Sequence, residues 1–506
     1  MATLTEILSA ATSGETPRGW RRAVVDAEGW SRVAAALGAG EGTLMGLWGE
    51  PAAVFMAVLD ESESAVWILS LNCPEGSFPS VGRVHAPAQR LERTIRDLFG
   101  LQPVDAPDRR PWLDHGRWEL AQPLAAAPQA PAAEMPPYAF LAAEGPNLHR
   151  IPVGPVHAGI IEPGHFRFTV NGEAVVRLEE RLGYVHKGIE GLMTGAGLER
   201  AARLAARVSG DSTVAYSFAF ARAVEAALGI EAPTRAVWLR ALMAELERLA
   251  NHFGDIGAIA NDASFSLMLA HCSVLRERVL RVAETCFGHR LMMDRIQPGG
   301  VTHDLQADHQ GVIRGLIDEA RRRFPHLVEL YEQTASLKDR TVGTGHLNPA
   351  LARRFGAGGF VGRASGRGFD CRRSLAYAPY DELLFGAPIV HRGDVNARLW
   401  VRVVEVGQSL GLIDQILDGL PEGALTVDSN RLSAAAGEGL ALVEGFRGDI
   451  LVWVRLGEDG TVERCHLRDP SWFQWPLLEA VIDNNIIADF PLCNKSFNCS
   501  YSGHDL

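Results

Sequence analysis

The sequence predicts an α+β protein: a small α+β unit joined by a linker to a larger, mostly helical domain with small β elements. Three observations predict it. Apolar residues alternate with period two in the first hundred or so residues, an Ala/Pro-rich stretch follows, and helical periodicity then dominates the remainder. The boundaries fall at 1–119 for the α+β unit, 120–147 for the linker and 148–506 for the large domain.

Within the first unit, segments 42–48, 53–60 and 65–71 alternate as strands do, and 30–36 and 86–98 read as helices, the second ending at Gly100. The run LAAAPQAPAAEMPP inside the linker has the composition of a semi-rigid connection crossing a surface. Beyond it, Phe166, Phe168 and Val170 alternate ahead of Asn171-Gly172, a favoured two-residue hairpin turn, so 154–178 is expected to form a hairpin or small sheet. Segment 198–208 is helical, breaks at Gly210 and resumes over 213–228. Val237, Leu239, Leu242, Met243, Leu246, Leu249 and Phe253 recur at helical spacing, as do apolar residues in 265–287, 310–337 and 394–417, giving a helical bundle core. A β-rich tail is expected from 440–443 and 450–455.

Composition narrows the function classes. At 506 residues the chain exceeds one ordinary core. Its net charge of −12 argues against nucleic acid as a partner, because the phosphate backbone needs a basic face. The sequence contains no 18-residue apolar run, so no membrane crossing is expected, and residues 1–14 lack the pattern of a signal peptide. The seven cysteines form no CxxC pair and read as reduced thiols, which leaves no self-contained zinc or iron–sulfur site.

Candidate chemistry lies in a few polar positions. Ser209 and Ser212, at i and i+3 across the helix break, present both side chains on one side of the backbone. The end of the chain, FNCSYSGHDL, offers a second short spacing of small polar residues. Glu162, in IIEPGHFR, is either a proton relay with His165 and Arg167 nearby or an exposed turn charge. Arg447, flanked by glycines, either reaches into a cavity or pairs with Asp449. The glycine-rich GGFVGRASGR at 358–367 lacks the strand–GxGxxG–helix order and the Walker lysine, so it does not read as a nucleotide loop. His157, His165, His186, His252, His289 and His303 form no HxxxH pair and read as structural or surface residues.

Four longer stretches carry a family resemblance: GPVHAGIIEPGHFRF at 154–168, RLGYVHKGIE at 181–190, ELERLANHFGD at 245–255 and GHRLMMDRIQPGG at 288–300. They resemble the large subunit of membrane-bound, energy-converting nickel–iron hydrogenases, a family that includes the formate hydrogenlyase large subunit and is related to the 49 kDa quinone-site subunit of respiratory complex I. LERTIRDLFGL at 91–101 resembles the complex I 30 kDa subunit, which formate hydrogenlyase-type proteins carry fused in this order.

The departures from that family shape what it implies. Its nickel and iron are held by two CxxC pairs, and these fall here on Ser209 and Ser212 and on Ser500 and Gly503. Serine offers a hard, normally protonated oxygen where the centre needs bridging thiolates. Cys499 stands one position off that register. The quinone-site tyrosine of the complex I subunit falls on Gly210, and its histidine on either His157 or His165. Glu162 matches the family's proton-carrying glutamate and Arg447 its arginine over the metal, with Phe446 in place of the usual preceding proline. Asp211 adds a carboxylate where hydrogenases are apolar, and its burial requires a partner such as Arg447.

The resemblance thus implies a metal-free, hydrogenase-like oxidoreductase subunit whose cavity, with Glu162, His165, Asp211 and Arg447, relays protons or couples redox change to ion movement. No metal or other cofactor is expected in this chain. A 4Fe–4S cluster is expected in a small partner subunit, and complex I-like membrane subunits are the other implied partners. The chain is then cytoplasmic, held peripherally at the inner membrane by those partners. The alternatives are an NADH-quinone oxidoreductase-like subunit that binds a quinone or another redox substrate in the cavity, or a purely structural scaffold.

Overall fold

A computed structural model of the chain describes residues 4–10, 12–14, 20–130, 137–157, 161–432 and 435–506. The fold is mixed α+β, as the patterning requires. The first unit is a five-stranded sheet in the order Thr12–Gly14, Trp20–Val24, Ala65–Asn72, Ala53–Asp60, Thr43–Glu50, antiparallel except where Trp20–Val24 runs parallel to Ala65–Asn72. Helices Ala27–Ala39 and Gln89–Phe99 complete it, and Gly100 ends the second in the left-handed conformation that glycine adopts without a Cβ clash. Thr12–Gly14 and Trp20–Val24 extend the three expected strands; Trp20–Val24 is short and interrupted by Arg21 and Arg22, so it carries little alternation.

Thr43–Glu50 is buried along its whole length. One reason is a second sheet packed against it, formed by Gly437–Glu444, Asp449–Leu456 and Val462–Arg468. Trp453 touches Trp48 and Phe55, with ring centroids 5.5 and 5.2 Å apart, and His466 stacks on Trp48 at 4.6 Å. The N-terminal unit therefore sits on the large domain rather than beside it. The linker crosses the surface and is pinned at Leu124, whose N–H donates to the Leu98 carbonyl at 2.9 Å, and at Tyr138, whose hydroxyl accepts from Arg93 at 2.9 Å; its residues 131–136 lie outside the described residues.

The expected hairpin is His165–Asn171 with Ala174–Arg181, flanked by a third strand, Leu148–Val153. Its turn is one residue later than the sequence suggests. Asn171 pairs with Ala174, leaving Gly172-Glu173 as the turn, with the positive φ at Gly172.

The helical core is Thr213–Leu228, Thr234–Asp262, Ser266–Phe287, Ala307–Gln333 and Val395–Gly419. The single helix expected over 310–337 divides at Thr334, which leaves helical geometry while its hydroxyl donates to the Leu330 carbonyl at 2.6 Å, and continues as Ala335–Thr341. The expected β-rich tail also changes character. A third strand, Val462–Arg468, escapes the apolar pattern because Arg464, His466 and Arg468 are buried through pairing with Glu190 and Asp449. After it the chain is helical: Ser471–Val481, Phe490–Phe497 and Tyr501–Asp505.

Candidate functional site

Two helix entrances meet in the interior. At one, Ser209 lies in extended backbone before the turn Gly210–Ser212 that opens helix Thr213–Leu228. At the other, helix Phe490–Phe497 ends at Asn498 in left-handed backbone, and Ser500 caps the short helix Tyr501–Asp505 by accepting the Gly503 N–H at 2.9 Å. The Ser209 and Ser500 hydroxyls stand 3.1 Å apart. All four positions that correspond by resemblance to the metal ligands thus belong to one cluster, and their donors are hydroxyls or, at Gly503, nothing.

Asp211 organises the cluster. Its Oδ1 accepts from Ser209 at 2.6 Å, from Ser212 at 3.3 Å and from Arg447 at 3.2 Å, and a second Arg447 nitrogen closes a bidentate pair on Oδ2. Arg447 also donates to Ser212 at 3.2 Å and to the Asn498 carbonyl. Burial works against the Asp211 charge, yet Arg447 and the serine hydroxyls outweigh it and hold the carboxyl below the usual carboxylate range. Burial likewise opposes the Arg447 charge, and Asp211 outweighs it, raising the guanidinium further. The pair is fully ionised at neutral pH. Arg447 therefore turns to Asp211 and not to Asp449, which pairs with Arg468.

The glycine-rich segment finds its role here. A Cβ at Gly359, whose φ is +59°, would collide with the Arg447 carbonyl, and one at Gly358 with the Asp449 carboxylate. These glycines let helix Gly359–Ala364 press against the turn that aims Arg447, while Arg447 lies over the Phe446 ring at 4.5 Å.

Glu162 is exposed, and its carboxylate accepts from the Ser502 N–H at 3.2 Å and from the Ser502 hydroxyl at 3.3 Å. The Ser502 hydroxyl is 3.4 Å from that of Ser500. Glu162, Ser502, Ser500, Ser209 and Asp211 consequently form a run of oxygens from the surface to the Asp211–Arg447 pair. His165 does not join it. Its Nδ1 bonds the Gly154 carbonyl at 3.1 Å, and the ring faces a separate cavity beside Arg167. His157 lies at the other end of the same loop, whose residues 158–160 are outside the described ones.

Sequence reasoning missed the residues that brace this run. Asp469 accepts from the Tyr216 hydroxyl at 2.7 Å and the Ser471 N–H at 2.8 Å, and its Oδ2 would stand 2.5 Å from a Cβ placed on Gly503. Asn251 donates to the Asp211 carbonyl at 2.7 Å. Glu247 accepts the N–H groups of Val214 and Ala215 at 2.7 and 3.1 Å, and its burial pushes the carboxyl up to about 8. Of these, Asn251 and Glu247 sit in the ELERLANHFGD stretch; Asp469 carries no local signal.

The donor set does not fit a nickel–iron centre. Three hydroxyls, of which Ser209 and Ser500 bond each other and Ser209 and Ser212 bond the ion pair, supply no thiolate, the Arg447 cation already occupies the carboxylate, and Asp469 fills the space a ligand side chain at position 503 would need. Cys499 is buried, its thiol raised well above the ordinary range by burial, with a 3.9 Å contact to Gln474. Among the described residues no group of three His, Cys, Asp or Glu is arranged to hold a metal ion.

A hairpin leading into a helical core, with two loops meeting at its centre at the positions that correspond by resemblance to metal ligands, is the arrangement expected of the class of hydrogenase-like large subunits. Comparison with known proteins places the chain within it. Residues 24–131 match the family described as respiratory-chain NADH dehydrogenase, 30 Kd subunit, and residues 262–435 the 49 Kd subunit. Formate hydrogenlyase subunit 5 of Escherichia coli (strain K12) is 33% identical over 472 residues, covering 90% of this chain and 82% of that protein. An NADH-quinone oxidoreductase subunit of Desulfotalea psychrophila is 31% identical over 341 residues, covering 67% of this chain and 91% of its own. Among solved structures, a chain of the membrane-bound sulfane sulfur reductase, an archaeal respiratory membrane complex, superposes with a TM-score of 0.68 at 26% identity, covering 71% of this chain and 99% of that one. The chain belongs to the family of large subunits shared by complex I-related hydrogenases and NADH-quinone oxidoreductases.

Proposed function

We propose that this chain is a metal-free peripheral subunit of a membrane-associated, complex I-related oxidoreductase, and that it moves protons in response to electron transfer in a partner. The observation that carries the reading is the oxygen run from Glu162 to Asp211, which lies where the family resemblance puts thiolate ligands. A small subunit with a 4Fe–4S cluster is the electron-carrying partner, and complex I-like membrane subunits hold the assembly to the membrane. No helix among the described residues is long and apolar enough to cross a membrane, so attachment runs through those partners.

The chemistry follows from which oxygens hold protons. At rest Ser502 donates to Glu162 and Ser209 donates to Asp211, so Ser500 has one proton to give, and it goes to Ser209. The 3.4 Å step between Ser500 and Ser502 is then the break in the run. Inward transfer requires a proton to arrive on Glu162, the Ser502 hydroxyl to turn toward Ser500, and Asp211 to accept at the far end. Arg447 keeps Asp211 ionised, so a change of charge beside that pair, such as reduction of a nearby cluster, is what would draw the proton in.

The test uses the assembled complex. Asp211→Asn and Ser500→Ala are each expected to lower proton- or ion-coupled turnover on the order of tenfold or more, with subunit assembly intact. Unchanged turnover in both variants would reduce the chain to a scaffold. Metal analysis of the purified complex is expected to give nickel far below one per chain, and a value near one would overturn the metal-free reading.

A further inference from the structure

The cavity that His165 faces is unused by the oxygen run and has the makings of a second site. It holds about 280 Å³ and lies where three stretches of chain meet: the hairpin, residues 111–115 and the linker at Tyr138 and Phe140. His165 and Arg167 are two apart on one strand, so their side chains share a face, and Arg181 stands directly opposite His165 on the partner strand. The aromatic side chains close over them. Arg167 lies 3.9 Å from the Phe140 ring centroid, and Arg181 lies 4.4 Å from that of Tyr138.

The polar groups of this cavity are incompletely matched. Among the described residues, Nε2 of His165, a residue only 8% exposed, has no hydrogen-bond partner, and neither does the buried Nε of Arg167. Among the described residues no carboxylate pairs with either arginine. Arg181 spends its donors on the carbonyls of Pro111, Trp112 and Asp114. Glu179, across from Arg167, is taken by Arg110 and by the Leu141 N–H at 2.9 Å. Asp114 turns its carboxylate to the Gly116 N–H at 2.7 Å, and His115 bonds the Leu182 carbonyl at 2.8 Å. Tyr184 supplies the remaining hydroxyl. The balance facing the cavity is cationic.

The tautomer selects the ligand further. The Gly154 carbonyl can only accept, so the proton of a neutral His165 sits on Nδ1 and Nε2 is a bare acceptor. Burial, with Arg167 beside it, holds the imidazole below its ordinary value and therefore neutral. Arg167 wants an acceptor while His165 wants a donor. We infer that this cavity binds a small oxyanion that keeps an exchangeable proton near neutral pH, inorganic hydrogenphosphate, held by Arg167 in the field of Arg181 with its hydroxyl donating to Nε2 of His165. A carboxylate or a sulfate carries the charge but has no proton to give near neutral pH.

Calorimetric titration of the full chain with inorganic phosphate and with sulfate, at matched ionic strength and near neutral pH, tests this. Phosphate is expected to bind about tenfold or more tightly than sulfate. Arg167→Gln should abolish binding of both. His165→Phe, which keeps a ring against Phe140, should bring phosphate down to the level of sulfate and leave sulfate unchanged. Thermal melts without ligand establish that each variant is folded, and the exposed-helix variant Arg203→Gln serves as the charge control. Equal binding of phosphate and sulfate by the unmodified chain, no binding of either, or phosphate binding that survives Arg167→Gln would each overturn the assignment. Phenyl phosphate, which like sulfate has little proton to give near neutral pH, is expected to bind no more tightly than sulfate, and binding tighter than that of inorganic phosphate would overturn the role of the proton.

Discussion

Two buried polar regions of this chain, built from adjoining elements, are closed in different ways. Deep in the helical core, Arg363 pairs with Glu405 at 2.6 Å, Glu444 at 2.9 Å and Asp370 at 3.4 Å; Arg372 joins Asp370 and Glu245, Arg248 joins Glu245, and His252 joins Glu405. No side chain in this network is more than 3% exposed, and Tyr380 and Ser409 also donate to Glu245. The Asp211 cluster has one ion pair, a carboxylate whose side chain is 33% exposed, and hydroxyls that can turn. The first region spends its charges on fixing helices and strands against one another. The second leaves hydroxyls whose protons, under the proposed function, move along it. The frame around a ligand site can therefore stay rigid while its donors become a different kind of chemistry.

The largest effects should fall on the rigid side. Arg363→Met removes the cation shared by three buried carboxylates and is expected to cost about 3–5 kcal/mol, against about 1–2 kcal/mol for Arg447→Met beside the partly exposed Asp211. Chemical denaturation of the two variants side by side checks this ordering, and equal losses would erase the distinction between the regions.

A smaller and sharper comparison asks whether the site is one step from binding metal. The fourfold replacement Ser209→Cys, Ser212→Cys, Ser500→Cys and Gly503→Cys is expected to remain well short of stoichiometric nickel, because Asp469 stands in the space of the new side chain at 503 and Arg447 still occupies Asp211. Adding Asp469→Ala should raise the metal content. Full loading without that change would mean that the donors alone decide the chemistry.

The last comparison concerns pH. The Glu247 carboxyl rises from 4.5 to about 8 on burial, so between those values the folded state holds a proton that the unfolded state has lost. Its contribution to stability is full below about pH 4.5 and declines as pH rises toward 8. Glu247→Gln should flatten that part of the stability–pH curve, as read by melting temperature across the interval. A slope identical to that of the unmodified chain would show that Glu247 stays ionised in the fold.

Much of this was legible in local pattern. Strands 53–60 and 65–71, helix 213–228 and the long core helix 234–262 are rich in apolar residues, and the structure buries the two strands on both faces and these helices nearly all round. The third strand of the C-terminal sheet was not, since its inward residues are arginines and a histidine made apolar in effect by partners far away in sequence. The site divides the same way. Ser209 and Ser212 stood out by spacing, and Asn498 and Ser502 lay in the polar stretch at the end of the chain, whereas Asp469 has no signature of its own.

By itself the sequence determined the fold class, the family and the identity of the donors at positions 209, 212, 500 and 503, because periodicity and residue chemistry are properties of short stretches. Only the tertiary structure decided that Arg447 turns to Asp211 instead of Asp449, that Glu162 reaches the cluster through Ser502, and that His165 turns away to a cavity of its own. Those choices depend on loops brought together across the chain, where hydrogen-bond reach of about 3 Å, and not sequence spacing, selects the partner.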